Sequence, residues 1–168
     1  MSMNKVKDIA GATINLVSAG FVLGTTKTYT TTVSTEQVIN GKFGTTLAAQ
    51  TNTAIPTTDA TTGVAFPAVS YDNAVCLVFG VNAAGAIKLS QGPITPIAPG
   101  VTTTVGAFLN PPPFPELPDD FCPIAYGFVR VAPTAVSFTT GTTNWTASGV
   151  TCTTFQNVAT LPDRPQIA

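Results

Sequence analysis

The chain has no histidine among its 168 residues. That removes the commonest general base and the commonest transition-metal ligand at once. Charge is also scarce: seven Lys and Arg and eight Asp and Glu make up 9 % of the chain, with a net charge of −1, against about 25 % charged residues in ordinary globular proteins. So few scattered cations form no basic patch for nucleic acid or an anionic membrane. Low charge combined with a mean hydropathy of +0.32 argues against disorder, which needs high charge and little apolar content. Two explanations of such a surface stay open: partner subunits cover much of it, or Thr and Asn side chains make a neutral surface soluble.

Cysteine is limited to Cys76, Cys122 and Cys152. An odd count without CxxC spacing indicates neither a zinc site nor a complete disulfide framework. Cys76, inside AVCLVFGV, reads as a small buried hydrophobe. Cys122 and Cys152 stay unpaired in this reading, with a bond in an oxidising compartment as the alternative. No phosphate-binding, dinucleotide, zinc-protease or nucleophile-elbow motif occurs. Glu116, Asp119 and Asp120 are the one carboxylate cluster. Glycoside hydrolysis and calcium binding both draw on such groups, but these acids stand in a proline-rich turn without the remaining ligands and read as solvated turn residues. Asp59, in PTTDATTG, reads as a side-chain turn cap. The expectation is a protein that is not an enzyme and has no cofactor.

Long hydrophobic runs are missing too. In IAGATINLVSAGFVLG, Thr13, Asn15 and Ser18 interrupt an apolar run well short of the ~20 residues of a membrane span. The segment reads as an ordered arm or short helix, apolar through Ile9, Ile14, Leu16, Val17 and Phe21.

What is present is threonine, with 14 Gly and 14 Pro as punctuation. β-Branched residues between frequent turns predict an all-β fold, a small β-sandwich or barrel-like domain over 36–168 with an N-terminal arm over 1–35. Val75 to Val81 predicts a strand buried on both faces. Asn82 to Gly85 supplies a turn, and Ala86 to Ser90 returns with Ile87 and Leu89 on one face and Lys88 on the other. Ile124 to Val131 is the expected neighbour of this hairpin. Ser137 to Val150 reads as two short strands around Gly141. In PPPFPELPDD, five prolines hold the chain extended, with Phe114 and Leu117 as apolar anchors. This is either a stiff crossover between strands or a docking loop whose preset backbone loses little entropy on binding. Trp145, the one tryptophan, either covers an end of the core or anchors an interface.

The segments PTTDATTGVAFPAV, VFGVNAAGAIKLSQGPI, FPELPDDFCPIAYGFVRV, FTTGTTNWTASGVT and LPDRPQ, in that order over about residues 36–165, resemble a layout recurrent in virion proteins of tailed bacteriophages. The resemblance is to small β-rich accessory subunits, head decoration (cement) proteins or head fibres. It implies binding to and stabilisation of the major capsid protein's shell on the outer surface of the head after assembly in the host cytoplasm, usually as a dimer or trimer; the expectation of no nucleic-acid or membrane partner rests on the scattered cations and the interrupted apolar run. It supplies no contact motif. The contact candidates therefore follow from apolar residues in segments hard to bury alone: Ile9, Ile14, Leu16 and Phe21 in the arm, Phe114 and Leu117 in the proline-rich loop, and Trp145. The competing expectation is a tail, baseplate or fibre component that binds a host-surface glycan, with Trp145, Tyr29, Tyr71 or Tyr126 as stacking platforms.

Overall fold

In a computed structural model, residues 11–135 and 137–167 are described. Among them there is no helix, and twelve strands form three antiparallel sheets. In chain order the strands are β1 (Ile14–Asn15), β2 (Phe21–Leu23), β3 (Thr28–Thr31), β4 (Gln37–Ile39), β5 (Lys42–Phe43) and β6 (Gln50–Ala54), then β7 (Asn73–Asn82), β8 (Ile87–Gln91), β9 (Thr95–Pro96), β10 (Phe121–Val131), β11 (Val150–Cys152) and β12 (Gln156–Asn157). The all-β expectation holds. No sheet closes on itself, so the barrel-like form is not adopted.

The central sheet is built on the two longest strands. β7 pairs with β10, with β8 and β9 on its other side, while β11 and β12 share the far edge of β10. Both β7 and β10 are buried along almost their whole length, as the continuous apolar run Val75 to Val81 requires. Their side chains alternate between two cores. Val75, Leu77, Phe79 and Val81 of β7 and Val129 and Val131 of β10 enter the larger one, whereas Cys76, Val78, Tyr126 and Phe128 enter the smaller. The β7–β8 hairpin forms as the sequence predicts, and its register sets Phe79 opposite Leu89 and Gly80 opposite Lys88. Gly85 has a φ of 78° in its turn, a left-handed conformation for which glycine is the unstrained choice.

Two three-stranded sheets flank this one. The first, in the order β2-β3-β6, covers the larger core with Phe21 and Tyr29. The second, in the order β1-β4-β5, turns Asn15, Gln37 and Ile39 inward, with β1 and β4 packed on β10. The turn between β4 and β5 is Asn40-Gly41, an Asn-Gly pair that favours tight hairpins. The segment expected to be an arm is thus extended, and its pairings cross residue 35: β1 pairs with β4 and β3 with β6. Ile9 lies outside the described residues.

Ser137 to Val150 does not form the two expected strands. Phe138 makes a single bridge to Val69. The chain then turns tightly, with Thr142 and Thr143 N–H both donating to Thr139 O and the Thr143 hydroxyl accepting from Thr139 N–H at 3.0 Å. Threonine here supplies hydroxyl turn chemistry, which competes with its strand propensity. A true strand begins only at β11.

Candidate functional site

Grooves of about 450, 250 and 140 Å³ lie along the C-terminal segment and β2, and no carboxylate, lysine or arginine lines them. Glu116, Asp119 and Asp120 are exposed on the crossover before β10, outside these grooves. Among the described residues no group of three His, Cys, Asp or Glu side chains could hold a metal ion. No helix among them is long and apolar enough to cross a membrane.

Asp59 has a built environment. Its Oδ1 accepts from the N–H groups of Thr61 and Thr62, each at 3.0 Å, and from the Thr62 hydroxyl at 3.2 Å. Its Oδ2 accepts from Gln91 N–H at 2.9 Å. This is the turn cap that the sequence predicts, and it also ties the 59–64 turn to the edge of β8.

The three cysteines are free. Cys152 stands opposite Val129 on β10, seven residues along that strand from Cys122 by the difference of their positions. At about 3.3 Å per residue that is about 23 Å, far beyond the about 7 Å Cα separation a disulfide tolerates. Burial pushes the Cys122 thiol up to about 11 and the Cys152 thiol up to about 12, and raises Cys76 further. The thiols are therefore protonated and weakly nucleophilic near neutral pH.

The contact candidates divide by location. Phe21 is 0 % exposed, with its ring centroid 4.4 Å from Phe79 and 5.6 Å from Phe155. Trp145 is 4 % exposed, stacks on Phe138 at 5.6 Å and donates Nε1–H to Thr28 O at 3.0 Å. Both are interior residues, so neither presents surface to a partner, and for Trp145 covering the core is the observed role. Phe114 meets Tyr126 edge-on at 5.0 Å, and with Leu117 it packs on the smaller core. The proline-rich loop is held there on both sides, since Thr61 donates its hydroxyl to Glu116 O at 2.7 Å and Asn40 Nδ2 donates to Asp119 O at 3.0 Å. It docks on its own sheet as a stiff crossover.

Ile14 and Leu16 have a different setting. Ile14 pairs with Val38, and Val38 with Phe43. Residues directly opposite in an antiparallel sheet share a face, so these three form an apolar stripe across the outward side of β1-β4-β5. Leu16, two residues on from Ile14, extends it, and its N–H bonds Glu36 O at 2.8 Å. Phe43 is 80 % exposed and Leu16 47 %. The sequence reading overlooked Val38 and Phe43. Both flank the Asn40-Gly41 turn, and recognising that pair as a hairpin would have placed them on one face.

Compared with protein-family models, with curated proteins and with solved structures, the chain matches none of them.

Proposed function

We propose that this chain is a non-enzymatic virion structural protein of a tailed bacteriophage, a decoration subunit that binds the outside of the assembled capsid shell and stabilises it. The observation that carries this reading beyond the sequence resemblance is the outward stripe of Ile14, Val38 and Phe43 with Leu16. It is a rigid, hydrogen-bonded sheet face with little charge, so placing it against a neighbour loses little conformational entropy. A protein that binds only the assembled shell adds its binding free energy to that shell's stability, and repeated copies on a lattice add avidity. Self-association as a dimer or trimer belongs to the same proposal.

The alternative is a tail, baseplate or fibre component that binds a host-surface glycan. One observation favours it, namely that Tyr71 is 61 % exposed, which leaves its ring open to stacking on a sugar. The other three rings considered for that role, Tyr29, Tyr126 and Trp145, are buried. Separating heads from tails after particle disruption distinguishes the two: the decoration reading expects the chain with the heads, and enrichment with tails overturns it.

A further inference from the structure

The tip of the β4–β5 hairpin is Asn40-Gly41, closed by Ile39 opposite Lys42. Both turn residues have positive φ, 50° and 76°, as the favoured two-residue hairpin turn requires, and both are exposed. Asn followed by Gly is prone to deamidation, because a glycine nitrogen reaches the preceding side chain without hindrance from a Cβ. In that reaction the Gly41 nitrogen loses its proton and attacks Asn40 Cγ. The Cγ–Nδ2 bond breaks, and Nδ2 leaves as ammonia with that proton. Water then opens the cyclic imide at either carbonyl, leaving Asp or isoaspartate at position 40. Three bonds oppose the first step. Gly41 N–H, the nucleophile, donates to Ala12 O at 2.9 Å. Asn40 Nδ2, the leaving group, donates to Asp119 O at 3.0 Å and holds the side chain toward the proline-rich loop. Asn40 N–H donates to the Thr13 hydroxyl at 3.1 Å and fixes the turn beside β1. Attack needs the Ala12 bond broken and the side chain swung off Asp119.

We propose that Asn40 is a deamidation site held shut by Ala12 and Asp119, and that its conversion unlocks the β4–β5 hairpin from the proline-rich loop. The product cannot remake that tie. An ionised carboxylate only accepts hydrogen bonds, so at position 40 it meets Asp119 O with no proton to give. The link between residues 79 apart in sequence is then lost. Asp119 and Asp120 add like charge on the same exposed loop. Isoaspartate goes further, since it inserts a carbon into the backbone of a turn whose length sets the register of β4 with β5. The inference is independent of what the outward stripe binds.

The test incubates the whole chain in mildly alkaline buffer, folded and in concentrated urea, and follows position 40 by peptide mapping that separates Asn, Asp and isoaspartate. Conversion is expected in urea, and in the folded chain it should be slower by about tenfold or more, because only the locally opened fraction reacts. This comparison needs no variant. Asn40→Asp then supplies one product directly, and Asp-Gly suits the same turn, so the hairpin should persist. In that variant amide exchange at Phe121, whose N–H bonds Pro118 O beside the lost tie, should quicken while the β7 amides keep their protection. Equal rates in the folded and unfolded chain, no conversion in urea, or unchanged Phe121 exchange in Asn40→Asp overturns the proposal.

Discussion

Asn157 shows how much one side chain can hold. Its amide completes the pairing of Phe21 in place of a neighbouring strand, joining residues 136 apart in sequence. Asn157→Ala strands two backbone groups of a fully buried residue, and urea unfolding should show a loss of about 1–3 kcal/mol, the cost of leaving a buried polar group unpaired. Trp145 reports on the larger core. Its indole is buried and bonded to Thr28 O, so native emission should be blue-shifted and move red on unfolding, and Trp145→Ala should cost about 3–5 kcal/mol. A native emission maximum already at the solvent value would contradict this placement. The thiols make stability depend on alkaline pH. Burial raises Cys122 to about 11 and Cys152 to about 12 from an ordinary 9.0, so above pH 9 the unfolded chain loses protons that the folded chain keeps. The thiol contribution is fully present below that value and falls as pH rises through the folded values. A Cys122→Ser, Cys152→Ser variant should show a shallower alkaline decline in melting temperature than the wild type.

At the scale of elements, the central sheet rests on close approach as well as apolar burial. A Cβ on Gly127 would sit 2.6 Å from the Phe155 ring, inside the larger core. Gly127→Ala should destabilise by about 1–3 kcal/mol, as overpacking does, and Phe155→Leu should recover part of it; no loss in the single variant would mean that the ring is free to move. The strands most legible in the sequence were β7, β8 and β10. Each carries its pattern within one segment: a continuous apolar run, a turn ending in Gly85, and alternation from Ile87 to Leu89. The short flanking strands were not legible in the same way. β1 is two residues long, and its partner β4 lies more than twenty residues away, so no local periodicity marks it. Threonine misled the reading at 137–150, because hydroxyl turns and strands draw on the same residue. Asp59 was legible because a turn cap is a local device. The stripe of the candidate site was only half legible, since Ile14 and Leu16 stand out as apolar whereas their alignment with Val38 and Phe43 depends on a register set by pairing.

For the whole molecule, the β2-β3-β6 sheet covers one core of β7 and β10 and the proline-rich crossover packs on the other, while β1-β4-β5 rests on β10 and keeps an outward apolar side on a chain with very little charge. Surface substitutions away from built features usually change stability by less than about 0.5 kcal/mol. Phe43→Ser, at an 80 % exposed position on an edge strand, should therefore leave the urea midpoint nearly unchanged. The most direct measurement of the central claim is co-sedimentation of this chain with empty capsid shells stripped of it, for wild type and the Phe43→Ser, Val38→Ser double variant. The account predicts saturable binding by wild type, and at least tenfold weaker binding by a variant that stays folded, the equivalent of about 1.4 kcal/mol. Wild type that does not sediment with shells, or a folded variant that binds as well as wild type, would contradict it.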